Sequence, residues 1–109
     1  MRCVACRRDE PTATDAEIND FRSQIPEWTL VELDGIKRLT QAFAFADFAQ
    51  ALAFTDRIGA LADSEGHHPA LLTEWGRTTV TWWTHKIRGL HRNDLIMAAR
   101  TDELFASRL

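Results

Sequence analysis

Three of the four histidines in this 109-residue chain fall between Asp63 and His85, and the fourth, His91, follows six residues later. An imidazole, with an unperturbed pKa of about 6.5, gives or takes a proton at neutral pH and also binds metals, so this concentration points to proton transfer or to a metal site. The spacing favours the first. His67 and His68 are adjacent, and in an extended segment adjacent side chains point apart, so both cannot readily ligate one ion. A single histidine more often packs or caps a loop; an adjacent pair joined by His85 and Asp94 is a better candidate for chemistry. Gly66-His67-His68-Pro69 breaks two patterned segments and His85 ends an alternating run, and such loop and strand-end positions can converge on a pocket. A metal hydrolase is the weaker reading, resting only on four His, two Cys and nearby carboxylates.

The elements that would position these groups are legible in order. Thr14 followed three residues later by Glu17 is a capping box opening a helix that runs to about Ser23, with Ile18, Phe21 and Ile25 on its apolar side and Pro26 ending it. Asp34-Gly35 is a two-residue hairpin turn between Trp28–Leu33 and Ile36–Phe43. Pairing Leu33 with Ile36 puts Trp28, Leu30, Leu39 and Phe43 on one face, the expected core side, and leaves Thr29, Val31, Thr40 and Ala42 on the other. Apolar positions 48, 51, 52, 58, 61 and 62, with Thr55 on the seam, predict a long central helix ended by Gly66 and Pro69. Residues 70–74 and 78–85 read as a second hairpin around Trp75-Gly76-Arg77, with Val80, Trp82 and Thr84 on one face and Thr79, Thr81, Trp83 and His85 on the other. A last helix is expected from Leu90 to Leu104, Leu90 stapling to Leu95 and Asp94 sitting in the first turn. The order α-β-β-α-β-β-α predicts an α+β fold: a single four-stranded antiparallel sheet with helices packed on one face.

Length and charge bound the rest. The chain has the length of a single domain, 1–109, with residues 1–12 expected as a loose tail. A net charge of −3, from 13 basic and 16 acidic residues, offers no clustered cation surface for nucleic acid. The basic start is followed by Asp9-Glu10-Pro11 and not by an apolar stretch, and no run approaches a membrane span, so a cytoplasmic protein is the expectation. Cys3 and Cys6 form one Cys-x-x-Cys, half of a structural zinc set at most, and read as reduced thiols in the tail.

Asp63-x-x-x-His67-His68-Pro69, Trp75, His85 and Asp94, at these spacings, resemble the signature of the pterin-4a-carbinolamine dehydratase family. The resemblance extends through the Asp-Gly hairpin, Phe43-x-Phe45-x-Asp47-Phe48 and Gly89-Leu90. The segments around His67, His85 and Asp94 are most similar to bacterial members that accompany phenylalanine hydroxylase. It implies a hydro-lyase that dehydrates 4a-hydroxytetrahydropterin to quinonoid dihydropterin, with the pterin as substrate and no cofactor or metal. By the same resemblance His67, His68 and His85 are the catalytic residues, supported by Asp94 and Asp63, while Gly66, Pro69, Trp83, Thr84 and Lys86 contact the substrate. A homodimer or dimer of dimers is implied too, with phenylalanine hydroxylase as functional partner. The alternative is a non-catalytic dimerisation or regulatory module of the same fold, although a catalytically dead relative would usually have lost a histidine. Two departures stand out. His91 occupies the helix N-cap where animal members have the better-capping Ser, which predicts a less rigidly held Asp94. Trp82 and Trp83 replace smaller strand residues.

Overall fold

A computed structural model describes residues 12–107. Cys3 and Cys6 lie outside the described residues, as does most of the expected tail. The chain runs α1 (Asp15–Arg22), β1 (Thr29–Leu33), β2 (Ile36–Ala44), α2 (Phe48–Glu65), β3 (Ala70–Glu74), β4 (Arg77–Trp82), a short 3-10 turn (His85–Ile87) and α3 (Arg92–Ala106). All four strands join one antiparallel sheet in the order β1-β2-β4-β3. This is the α+β architecture that the periodicities predict.

Local chemistry explains each boundary. The Thr14 hydroxyl accepts from the Glu17 N–H at 3.1 Å and the Glu17 carboxylate accepts from the Thr14 N–H at 3.0 Å, the reciprocal box that starts α1. Asp34 and Gly35 both take positive φ, 54° and 76°, as a two-residue hairpin requires, and the register Leu33 to Ile36 follows. Trp28, Leu39 and Phe43 are consequently buried, and Thr78, Val80, Trp82 and Thr84 of the second hairpin are buried on the same side. That hairpin turns on Trp75-Gly76 alone, and β4 ends at Trp82. His85 therefore does not finish a strand; it opens the 3-10 turn.

The central helix is rotated from the expected stripe. Ala51, Phe54, Ile58 and Ala62 are buried, whereas Phe48 and Leu52 are 45% and 43% exposed. Leu52 lies roughly 100° round the helix from Ala51, too far to share its seam, and Phe48 sits in the first turn. Phe54, absent from the predicted stripe, instead joins Phe43, Phe45 and Phe105 in a cluster of edge and tilted ring contacts with centroids 4.9 to 5.7 Å apart. Three aromatic partners decide the rotation, and a one-dimensional pattern cannot see them.

At the β1 side of the core, Asp102 of α3 accepts hydrogen bonds from the Trp28 indole N–H at 3.1 Å and from the Gln41 amide at 2.9 Å. Burial pushes the Asp102 carboxyl above the usual carboxylate range, and its two donors offset this only in part. A raised folded-state pKa means that the folded chain holds the proton more tightly. Its contribution to stability is therefore present at low pH and is lost as pH rises from the unfolded value of about 3.9 through the raised folded value. Asp102→Asn is expected to remove that decline, so the stability difference between the two proteins changes across this window. Asp102→Ala, which strands both donors, is expected to cost about 1–3 kcal/mol. Denaturant unfolding from pH 3.5 to 7 checks both, and a pH-independent Asn difference would contradict the first.

Candidate active site

The position of His67 follows from how α2 ends. Gly66 adopts the left-handed conformation, φ 63°, its N–H bonding to the Asp63 carbonyl at 3.2 Å while the His67 N–H reaches back to the Ala62 carbonyl at 3.1 Å. This paired closure satisfies orphan carbonyls and turns the chain sharply. It delivers His67 inward, 8% exposed, with its ring stacked parallel to Trp82 at 5.7 Å. His68 points away and stays exposed, its Nε2 2.8 Å from the Asp63 carboxylate.

Asp94 comes from the other side, as the third residue of α3, and is fully buried. Its Oδ1 accepts from His67 Nε2 at 2.6 Å; its Oδ2 accepts from the Thr84 hydroxyl at 2.8 Å and from the His91 N–H at 2.9 Å. The expectation of a loosely held Asp94 is overturned. His91 Nδ1 accepts from the Asn93 N–H at 3.0 Å, so an imidazole closes the capping box as a hydroxyl would. An ionised carboxylate only accepts, so Nε2 of His67 carries the hydrogen and Nδ1 is left with the lone pair.

His85 follows Thr84 directly, so the backbone that anchors Asp94 also places the third histidine. The 3-10 turn is pinched shut by the Thr84–Gly89 bridge, with N to O distances of 2.8 and 3.4 Å. His85 and Lys86 are exposed; the His85 ring stacks on Trp83 at 4.4 Å with a 30° tilt. The paired tryptophans thus serve opposite faces of the sheet, Trp82 backing His67 and Trp83 backing His85. Thr84 is buried with its hydroxyl committed to Asp94, Pro69 is half-buried before β3, and Gly66 is exposed at the helix end. Sequence reasoning missed Arg38, whose guanidinium lies 4.2 Å over the Trp83 ring. No local pattern carried that signal: β2 and β4 belong to different hairpins, and only their pairing, Leu39 with Trp82, sets Arg38 opposite Trp83 at the next position outward.

Among the described residues no group of three His, Cys, Asp or Glu side chains converges to hold a metal ion. A groove of about 420 Å³ on the uncovered sheet face, lined by Thr29, Thr40, Ala42 and Thr79 among others, contains none of the histidines. No helix among the described residues is long and apolar enough to cross a membrane.

Fold and site together define an α+β sandwich that carries a histidine–carboxylate site where α2, β4 and α3 meet. The family described as pterin 4 alpha carbinolamine dehydratase matches residues 11–104. A protein of Syntrophotalea carbinolica, named provisionally as such a dehydratase, is 61% identical over 94% of this chain and 91% of its own length. One of Nitrosococcus oceani, named in the same way, is 54% identical over 95% and 92%. The chain belongs to the pterin-4a-carbinolamine dehydratase family. Among solved structures, a transcriptional coactivator/pterin dehydratase from Brucella melitensis superposes with a TM-score of 0.76 at 28% identity, covering 86% of this chain and 98% of that one. A pterin dehydratase-like RuBisCO assembly factor of the alpha-carboxysome superposes at 0.61 and 28% identity, over 72% and 88%.

Proposed function

We propose that this chain dehydrates 4a-hydroxytetrahydropterin to quinonoid dihydropterin and water, recycling in the cytoplasm the pterin used by an aromatic amino acid hydroxylase such as phenylalanine hydroxylase. The observation that carries the reading is the buried His67–Asp94 pair, 2.6 Å apart, in a chain of this family. In the reaction the carbon–oxygen bond at C4a breaks and the hydroxyl leaves as water with one added proton. The neighbouring ring nitrogen loses its proton, and that electron pair forms the new carbon–nitrogen double bond. One acid and one base suffice, and positioned imidazoles supply both near neutral pH. Asp94 holds His67 in one tautomer, as an orienting carboxylate does in other acid–base sites. His68, the next residue in the chain, and His85, beside Thr84 that donates to Asp94, are both exposed, which leaves their imidazoles open to a ligand from solvent.

The test is the decay of enzymatically generated 4a-hydroxytetrahydropterin with and without the protein. Because the proton-transfer set is complete without a cation, the same acceleration is expected after exhaustive chelation. Loss of activity on removing a stoichiometric metal would refute the metal-free mechanism, and no acceleration at all would refute the assignment.

A second reading, a binding module of the same fold, is favoured by one observation: two solved relatives are named for coactivator and assembly roles. The same assay separates it, since a pure binding module would leave the decay unchanged.

Self-association belongs to the proposal. Among the described residues no helix covers the sheet face bearing Thr29, Val31, Thr40 and Ala42, and β1 and β3 lie at the two edges of the sheet. Uncovered faces and edges are commonly paired, most often with two-fold symmetry. Sedimentation at micromolar concentration is expected to give at least a dimer; a single species near the 12.4 kDa of one chain would contradict this.

A further inference from the structure

His67 and His85 are held by different means. His67 is anchored by a carboxylate at 2.6 Å. The imidazole of His85 is exposed, and among the described residues its side chain has a ring contact with Trp83 and no hydrogen bond. A base or acid must present its nitrogen in a defined direction, and an exposed ring on a short 3-10 turn has several rotamers open to it. Something must choose among them, and stacking on the indole is the contact present. Trp83 is itself only half-buried and lies just past the end of β4. On its ring, besides His85, lies the Arg38 guanidinium, 4.2 Å from the centroid, reaching across from the neighbouring strand β2.

Arg38 also carries a cost. Its Nε is buried and meets no hydrogen-bond partner among the described residues. An unsatisfied buried donor costs more than a cation over an aromatic face at a surface site returns. Stability alone is therefore a poor reason for the arrangement, and a buried polar group left unpartnered calls for another one.

We propose that Arg38 is a positioning residue: its guanidinium fixes the Trp83 ring, and the Trp83 ring fixes the His85 imidazole in the orientation that proton transfer requires. Arg38 and Trp83 do for His85 what Asp94 does for His67, by stacking and without a hydrogen bond. The catalytic half of this inference rests on the proposed dehydration; the mechanical half, that Arg38 orients His85, does not.

The test uses Arg38→Met, which keeps an unbranched apolar stem and removes the charged, planar head, Arg38→Lys, which restores charge but not the planar stack, and Trp83→Ala. In the dehydration assay Arg38→Met is expected to lower kcat by about three- to tenfold at unchanged KM, with Trp83→Ala lower still and Arg38→Lys between Met and wild type. In parallel, the His85 ring-proton resonances are expected to show an aromatic ring-current shift in the wild type that shrinks in Arg38→Met and vanishes in Trp83→Ala. A rise in KM at constant kcat would overturn the proposal by placing Arg38 on the substrate itself. His85 resonances unchanged by Arg38→Met would overturn it too. If the wild type shows no dehydration, the proposed function fails, while the resonances still decide whether Arg38 orients His85.

Discussion

His67→Gln and His85→Ala are each expected to lower the rate of 4a-hydroxytetrahydropterin dehydration by about 10²-fold or more, the contribution usual for a positioned acid or base. Glutamine is the informative replacement at 67 because its amide N–H can still donate to Asp94 Oδ1, as His67 Nε2 does at 2.6 Å. The carboxylate keeps a partner and the fold is spared, while the imidazole that can give and take a proton is gone. His85 is exposed, so alanine there removes chemistry with little cost in packing. Initial rates at saturating pterin, with circular dichroism to show that each variant is folded, are the measurement. A His67→Gln/His85→Ala double variant that ran at the wild-type rate would end the assignment of proton transfer to this pair.

Asp94 separates stability from catalysis. Asp94→Ala is expected to destabilise the domain by about 3–5 kcal/mol, because it leaves the Thr84 hydroxyl, the His91 N–H and the His67 Nε2–H without their acceptor in a fully buried place. Against a total of about 5–15 kcal/mol for an ordinary domain, that is a large fraction, and a fall in Tm of at least ~10 °C should accompany it. Asp94→Asn is expected to behave differently. Its carbonyl can keep accepting from Thr84 and His91, so the capping box survives and most stability is retained. Its amide, however, points a donor at His67, and two facing donors force the hydrogen of His67 from Nε2 to Nδ1. The lone pair then faces the amide, and the rate should fall by about 10²-fold or more in a folded protein. Thermal unfolding and kinetics on the two variants decide the matter. An Asp94→Ala protein that melted with the wild type would show that the buried hydrogen bonds do not support the fold. An Asp94→Asn protein of full activity would show that the tautomer of His67 is immaterial.

Much of this was written in the chain. The Thr14–Glu17 box, the Asp34-Gly35 turn with its register, the Gly66 stop and the alternation of Val80, Trp82 and Thr84 are all effects of neighbours a few residues apart. Steric limits on φ, hydrogen-bond reach and the period of each element act at that range, so the α-β-β-α-β-β-α order and the buried face of each hairpin are local properties of the chain. It also placed His67, His68, His85 and Asp94 at spacings whose chemistry could be named. The rest depends on long-range packing, because the deciding forces act between residues far apart in the chain. Phe54 turns inward because Phe43, Phe45 and Phe105 surround it. Asp94 is rigid because Thr84, from another element, donates to it, and because His91 caps α3 through a ring nitrogen whose reach no propensity encodes. The division of the histidines, one locked by a buried carboxylate and one laid on a tryptophan under an arginine, follows from which face of the sheet each neighbour occupies once the strands have paired.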